Sequence, residues 1–171
     1  MLTIPQLRAQ TTPLPHRPNI ATFVSLPGVV SFSGAPAPAL ICCGHAASIS
    51  SDAPPGSSKQ YHDFRSWWQQ LYDTAEIRNT YTRAGTGLIA LCATTFPEPD
   101  EPAVFADHYS EHIFTVNRGI HSGSLVIPQV VVGYDDDAAW LTLIGPIGQD
   151  VFDTLDPLAR QVLDHAVRPP A

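Results

Sequence analysis

The sequence predicts an α+β fold in which antiparallel sheets carry a few flanking helices. Two observations support this class. Short β-branched and aromatic runs recur between turns rich in proline and glycine, as is typical of strands. One longer segment instead repeats its apolar residues at helical spacing. A chain of 171 residues is long enough to bury a hydrophobic core as one domain without disulfides.

The beginning of the chain is punctuated by proline. Residues 1–19 hold four prolines and show no hydrophobic period, so we expect an irregular N-terminal arm, followed by a single α+β domain over 20–171. Three short strands are expected next, in the runs IATFVSL, VVSFSG and ALICCG, because proline-containing turns separate them. The serine- and proline-rich segment 48–60 is expected to be a loop.

A helix is expected from Lys59 to about residue 77. Its apolar residues Phe64, Trp67, Trp68 and Leu71 recur at the spacing i, i+3, i+4, i+7, which places them on one side of a helix. We expect this stripe either to pack on a sheet or to serve as an interaction face for a partner.

The second half of the chain predicts further strands and one more helix. The apolar run TGLIALCATTF at 86–96 is bounded by glycine and proline and predicts a strand buried on both faces. A β-hairpin is expected over 124–145, with the acidic turn 134–137 between its arms. A C-terminal helix is expected over 157–167, because Asp156 can cap it and Pro157 suits the first helical position.

Composition excludes several classes of protein. The formal net charge of −7 and the pI near 5.3 disfavour a nucleic-acid partner, which usually meets a basic surface. No apolar run reaches the roughly 18 residues of a membrane span, and the first residues lack a secretory signal, so no membrane association is expected. Three cysteines, two of them adjacent, are a poor disulfide framework. We therefore expect a cytoplasmic protein.

Histidines suggest one metal-site hypothesis. His108 and His112 are four residues apart, which places them on one side of a helix, and His121 could supply a third ligand to zinc. In zinc proteases the catalytic glutamate directly follows the first histidine, whereas Glu111 here precedes the second one. Solvated surface histidines therefore remain the alternative to a metal-dependent hydrolase.

Other short motifs give weaker evidence for a catalytic or binding site. Cys42 and Cys43 point to opposite faces of a strand, and a histidine two residues further along cannot activate either thiol, so we expect both to pack as small apolar groups. The loop around Lys59 lacks the glycines and the following Ser or Thr of a phosphate-binding loop. The acidic run 135–137 could hold a hard cation, but three adjacent carboxylates at a hairpin tip more often solvate the turn. No catalytic or cofactor-binding residue is assigned.

Three later segments together resemble a known enzyme family. These segments are Gly85-Thr-Gly-Leu-Ile-Ala-Leu-Cys-Ala-Thr-Thr-Phe96, Ser122-Gly-Ser-Leu-Val-Ile-Pro-Gln-Val-Val-Val-Gly133 and Ala139-Trp-Leu-Thr-Leu-Ile-Gly145. In content and order they are similar to the N-terminal half of actinobacterial isochorismate synthases, which belong to the chorismate-utilising enzymes together with anthranilate synthase component I and salicylate synthase. Cys92-Ala93 stands where that family has Gly-Ser, and residues 97–121 resemble an insertion.

The resemblance, which spans residues 20–147, implies an α+β fold whose packed antiparallel sheets take strands from both halves of the enzyme. It also implies that the lysine base, the glutamate acid and the Mg²⁺-binding glutamates lie in a C-terminal half outside this chain. No catalytic residue is therefore carried over, and Mg²⁺ is implied only for the complete enzyme. The partner is then a C-terminal catalytic half or a second copy, and a large apolar face that includes the stripe on 64–72 should be exposed.

Two functional hypotheses follow. The first is the N-terminal, non-catalytic portion of an isochorismate synthase-like enzyme, which acts in menaquinone or siderophore biosynthesis and is inactive without its catalytic half. The alternative is a small acidic α+β binding module that acts through the tryptophan-rich helix face, Phe64, Trp67, Trp68 and Leu71.

Overall fold

The computed structural model describes residues 4–16, 18, 29–32, 39–79, 86–93, 113–115, 121, 123–135 and 137–167. The strands in these residues are β1 (Leu7–Leu14), β2 (Val30–Phe32), β3 (Ala39–Cys43), β4 (Ala47–Ser50), β5 (Glu76–Asn79), β6 (Ala90–Cys92), β7 (Ile113–Thr115), β8 (Ser124–Ile127), β9 (Val130–Tyr134) and β10 (Ala139–Pro146). The helices in the same residues are α1 (Ser58–Thr74), α2 (Val151–Thr154) and α3 (Pro157–Val167). The part of the chain described here contains no helix long and apolar enough to cross a membrane.

The strands form two sheets. The six-stranded sheet has the order β2-β3-β9-β10-β1-β5, and the four-stranded sheet has the order β4-β8-β6-β7. Most neighbours are antiparallel, whereas β1–β5 and β6–β7 are parallel pairs. Together with the helices, these antiparallel-dominated sheets confirm the expected α+β class.

The six-stranded sheet is buried on both faces. Successive side chains of a strand alternate between faces, so adjacent strand residues enter different clusters. The inner cluster contains Leu7, Ala9, Leu40, Cys42, Ile49, Phe64, Trp67, Trp68, Leu71, Leu88, Ile89, Ala90, Leu91, Cys92, Leu125, Ile127, Val131, Trp140 and Ile144. The outer cluster contains Ile41, Cys43, Val130, Val132, Leu141, Leu155, Ala159, Val162, Leu163 and Ala166. Helix α1 and the four-stranded sheet thus cover one face, and α3 covers the other.

Helix α1 confirms the expected helix but corrects its expected role. Ser57 caps it by accepting a hydrogen bond from the backbone N–H of Gln60 at 3.2 Å. The proposed interaction face is buried, however: the relative exposures are 2% for Phe64 and Trp67 and 0% for Trp68 and Leu71. The stripe is covered because it packs into the inner cluster. The prediction that it binds a partner is therefore wrong, and so is the predicted exposed apolar face that included it.

Strand β1 corrects the expected irregular arm. Its eight residues pair with β10, and Arg8–Thr11 also pair in parallel with β5. Proline does not prevent the strand from forming. Pro13 lies outside the stretch of β1 that pairs with β5, and its side chain is exposed. The first strand expected at 20–26 lies outside the described residues, whereas β2 and β3 confirm the next two.

The predicted hairpin is confirmed for β9 and β10 but not for its whole first arm. Ser124–Ile127 belong to the four-stranded sheet, and the chain changes sheet at Pro128 and Gln129. Within the hairpin, Gly133 lies opposite Trp140, and a Cβ atom at position 133 would overlap the indole ring. Glycine at this position therefore leaves room for the indole ring of Trp140 beside β9.

The structure confirms some of the remaining expectations and corrects others. Helix α3 confirms the predicted C-terminal helix over 157–167. The expected loop over 48–60 begins with part of β4. Of the strand expected at 86–96, the structure describes residues 86–93; within these only β6 is regular, although residues 86–92 are all buried. Of the suspected insertion at 97–121, the structure describes only residue 121 and the short strand β7, which pairs with β6.

Candidate functional site

The segments that carry the family resemblance come together where the two sheets meet. Strand β6 lies beside β8, with Leu91 opposite Val126 and Cys92 opposite Leu125. Strand β8 then continues through two residues into the β9–β10 hairpin at the centre of the six-stranded sheet. We call the region formed by the 86–87 turn, the 128–129 link and their partners on β1 and β10 the sheet junction.

A buried hydroxyl pair forms the first half of the sheet junction. The Oγ1 atoms of Thr11 and Thr142, on neighbouring strands, lie 2.7 Å apart. The backbone N–H of Gly87 donates a hydrogen bond to Thr11 Oγ1 at 2.9 Å. Gly87 has φ of +77°, a left-handed conformation that favours glycine. The turn before β6 is thereby tied to the six-stranded sheet.

The side chain of Gln129 forms the second half. Its Nε2 donates to the carbonyl oxygen of Thr154 at 2.8 Å, and its Oε1 accepts from the backbone N–H of Asp156 at 2.9 Å. Its own backbone groups bond to the carbonyl oxygen of Cys43 and the N–H of Ile144. Because Gln129 is only 5% exposed, these bonds satisfy polar groups that water scarcely reaches. This residue joins β3, β10 and the α2–α3 turn.

The chemistry available at the sheet junction is positioning. Its side chains are threonine hydroxyls and a carboxamide, which exchange hydrogen bonds but do not ionise near neutral pH. Such groups fix the separation of backbone segments and do not serve as a general acid, a general base or a nucleophile without a neighbouring activator. The junction is therefore suited to hold two sheets in register.

The zinc hypothesis rests on residues that the structure only partly describes. His108 and His112 lie outside the described residues. His121 is exposed, and its Nδ1 accepts a hydrogen bond from the backbone N–H of Gly123 at 3.0 Å. Among the residues with described positions, no three His, Cys, Asp or Glu side chains are grouped closely enough to hold a metal ion.

The three cysteines are buried thiols that form no disulfide. Cys42 belongs to the inner cluster and Cys43 to the outer cluster. Burial raises the pKa of the Cys42 thiol far above its usual range. Burial also raises the pKa of Cys43 to about 11, with the negative charge of Asp156 adding to the increase. Both thiols are therefore protonated at neutral pH, and a protonated thiol is a poor nucleophile.

The acidic hairpin tip is a structural turn. Asp135 Oδ1 accepts hydrogen bonds from the backbone N–H groups of Asp137 and Ala138, each at 2.9 Å. A cleft of about 180 Å³ lies beside this tip. Its lining residues are Leu14, Pro15, His16, Asp135, Asp137, Ala138 and Ala139. The cleft is smaller than the roughly 300 Å³ at which small-molecule pockets begin.

Comparison with known protein families, with curated proteins and with solved structures finds no match to this chain. Sequence reasoning placed the segments of the sheet junction in the resemblance but missed its polar contacts. Gln129 follows a proline inside an apolar run, and that Pro-Gln interruption is the one signal that could have pointed to it. Thr11 lay within the expected arm and gave no such signal.

Proposed function

We propose that the chain is the N-terminal, non-catalytic portion of an isochorismate synthase-like enzyme, which converts chorismate to isochorismate. In this proposal the chain supplies the scaffold, and a C-terminal half supplies the acid, the base and the Mg²⁺ ligands. The product would enter menaquinone or siderophore biosynthesis. We place the activity in the cytoplasm, where Cys42, Cys43 and Cys92 would stay out of disulfides.

One observation supports the proposal above the others. The segments that resemble the family, quoted above from the sequence, are neighbours in space, although up to 25 residues separate them in the chain. They supply β6 and β8 of one sheet and the central β9–β10 hairpin of the other. Sequence similarity spread over separate segments is more informative when those segments share one packed unit, because they then constrain each other.

The sheet junction gives this scaffold a specific task. A catalytic half that packs across both sheets requires them at a fixed separation. The bond from Gly87 to Thr11 ties the turn before β6 to the six-stranded sheet with buried groups. The two bonds of the Gln129 side chain hold the link between β8 and β9 against the α2–α3 turn. Loss of the Gly87–Thr11 bond would let one sheet shift against the other, and a displacement of about 1 Å in a supporting element can lower turnover about 100-fold.

The test is a complementation assay. Isochorismate formation from chorismate is measured with Mg²⁺ for this chain alone, for the separately expressed C-terminal half of an actinobacterial isochorismate synthase, and for the mixture. We expect turnover only in the mixture, or at least a tenfold increase over the C-terminal half alone. A Thr11→Val chain serves as the junction variant, and an Asp164→Asn chain, altered at an exposed position on α3, serves as the matched control.

Two results would overturn the proposal. Turnover by this chain alone would show that it contains the catalytic groups assigned to the other half. A folded chain that does not increase the activity of the C-terminal half would show that it is not the missing scaffold. Thermal unfolding of each sample, followed by circular dichroism, identifies whether the chain was folded during the assay.

A further inference from the structure

In the part of the chain that the structure describes, one helix, α3, covers the outer cluster. The sheet residues of this cluster come from β3, β9 and β10 and are Ile41, Cys43, Val130, Val132 and Leu141. The residues that α3 contributes are Ala159, Val162, Leu163 and Ala166. On the other side of α3, the side chains of Arg160, Gln161 and Asp164 are exposed. A single layer of helix therefore lies between this apolar sheet surface and the solvent.

Helix α3 depends on this packing to stay folded. It has 11 residues, and helices shorter than about 12 residues are marginal in water on their own. Its buried side chains are two alanines, one valine and one leucine, whereas α1 buries a phenylalanine and two tryptophans. Because stabilisation follows the apolar area that is buried, less free energy holds α3 to the sheet than holds α1. We therefore expect α3 to separate from the sheet more readily than α1.

Helix α2, which precedes α3, lies close against β10. A Cβ atom at Gly145 of β10 would lie 3.1 Å from Val151 Cγ2 and 3.2 Å from Thr154 Oγ1. Side chains rarely approach so closely, so the glycine allows a short distance between α2 and the strand. The carbonyl oxygen of Thr154 also accepts the 2.8 Å hydrogen bond from the side chain of Gln129. These contacts hold α2 on the sheet without any contribution from α3.

The turn between α2 and α3 has the features of a hinge. Leu155 has φ of −70° and ψ of 134°, an extended conformation between two helices. Hinges are commonly a few residues at the ends of elements, where the backbone angles can change. The two bonds of the Gln129 side chain lie on either side of Leu155. The bond to Asp156 N–H must break for α3 to move, whereas the bond to Thr154 can persist.

A contact from the first turn of α3 also crosses the hinge. The guanidinium of Arg160 donates a hydrogen bond to the carbonyl oxygen of Phe152 at 2.8 Å. This bond is exposed, so water can replace it at little cost when α3 moves. It therefore adds little to the bond between Gln129 and Asp156, which forms in a buried position.

We propose that α3 is a lid on the outer face of the six-stranded sheet. The lid opens as one unit about the 155–156 backbone, and the bond from Asp156 N–H to Gln129 is its latch. Helices α1 and α2 and both sheets stay folded in the open form. Opening uncovers the apolar side chains of β3, β9 and β10, including Cys43, which is only 3% exposed when the lid is closed. The lid is independent of the function proposed above, because it rests on contacts within the chain.

Residue-resolved amide exchange of the wild-type chain at increasing, sub-denaturing urea tests the lid. A local opening exposes little surface and depends weakly on urea, whereas global unfolding depends on it strongly. We expect the amides of residues 161–166 to exchange at similar rates, at least tenfold faster than those of 64–71 in α1, and with less than half their urea dependence. A steady rise in rate toward residue 167 would indicate fraying of the helix end and would overturn the lid. Equal urea dependence in the two helices would also overturn it.

The variant Leu71→Ala separates local opening from global unfolding. It removes a fully buried side chain from α1, so exchange in α1 should accelerate at least about tenfold. Because α1 stays folded while the lid is open, exchange in α3 should stay within twofold of wild type. Equal acceleration in both helices would show that α3 opens only when the whole chain unfolds, and would overturn the proposal.

Two further variants complete the test. If Leu71→Ala does not fold, Gln70→Gly, at an exposed position of α1, should accelerate α1 about threefold and leave α3 unchanged. Leu163→Ala is the matched change on α3, and it removes side-chain volume from the contact between lid and sheet. It should accelerate exchange in α3 at least about tenfold. An unchanged rate there would show that α3 does not exchange by leaving the sheet, and would overturn the lid.

Discussion

The two faces of the six-stranded sheet are packed by different means. The inner face meets large aromatic side chains, among them Phe64, Trp67 and Trp68 of α1, and its polar contacts include a pair of threonine hydroxyls. The outer face meets α3 through small or aliphatic residues such as Ala159 and Ala166, and its polar contacts come from one glutamine side chain. The stability of the inner face therefore depends on the volume of its side chains, and that of the outer face depends more on a few directed hydrogen bonds.

This difference indicates which kind of substitution destabilises each face most. Removal of a large ring leaves a cavity that surrounding side chains fill only in part. Small residues allow α3 to approach the sheet closely, but each contributes little apolar area. The stability of the outer face therefore depends more on the α2–α3 turn that positions this helix. We expect the inner face to respond most to changes of size and the outer face to respond most to the loss of Gln129.

The largest effect is expected for Trp68→Ala. Trp68 is fully buried and its ring centroid lies 5.7 Å from that of Tyr72, so its removal should lower the free energy of unfolding by about 3–5 kcal/mol. Val162→Ala on the outer face should lower it by less. Urea unfolding followed by circular dichroism measures both. A larger loss for Val162→Ala would contradict the contrast between the faces.

The next effect is expected for Gln129→Ala. The Thr154 carbonyl and the Asp156 N–H would lose their partners, which should lower the free energy of unfolding by about 2–3 kcal/mol. Amide exchange should increase in α3 before it increases in α1. The control is Gln149→Ala, an exposed glutamine in the turn after β10. Equal acceleration in both helices would show that the glutamine does not act on the outer face alone.

A smaller effect is expected for Thr142→Val. Valine preserves the shape of threonine but removes the hydroxyl that meets Thr11, and the buried pair should be worth about 1–2 kcal/mol. Thr12→Val, on the neighbouring position of β1 that is not fully buried, is the matched substitution. If both variants have the same urea midpoint, the hydroxyl pair contributes nothing to the inner face.

The smallest effect is expected at the sheet edge, which belongs to neither face. Partial burial acts to raise the pKa of Glu76, but the hydrogen bond from Arg8 and the charges of Arg78 and Arg8 outweigh it and lower the pKa below the usual 4.5. A lowered folded-state pKa contributes stability above pH 4.5 that is lost as the pH falls through the folded value. Glu76→Gln should therefore lose less stability than wild type between pH 5 and pH 3, measured by thermal unfolding. An identical pH profile would contradict the ion pairs.

The fold could be predicted from the sequence wherever a pattern was local. The helical spacing of the 64–71 stripe predicted α1, and the acidic turn between two apolar runs predicted the β9–β10 hairpin. What the stripe packs against could not be predicted, because an apolar face looks the same in sequence whether a sheet of its own chain or a partner covers it. The structure shows that the stripe packs inside its own chain and is not an exposed interaction face.

Elements that depend on distant partners were missed. Strand β1 has only three buried residues, Leu7, Ala9 and Thr11, and its strand character comes from pairing with residues 125 to 139 positions away. Strand β5 consists of four residues and follows α1 after one residue, so no apolar period marks it. The contacts of the sheet junction are of the same kind, since the Thr11–Thr142 pair exists only once two distant strands are adjacent.

The adjacent cysteines of β3 have a practical consequence. Because Cys42 and Cys43 point to opposite faces, each thiol reacts with a modifying reagent only when its own side of the molecule opens. Two variants can be made, each with Cys92 and one of the two adjacent cysteines replaced by serine or alanine. The reaction rate of the remaining thiol would then report how often its own side of the sheet opens. Cys42 therefore probes the opening of the inner cluster and Cys43 that of the outer cluster, so comparison of the two rates shows which cluster opens more readily.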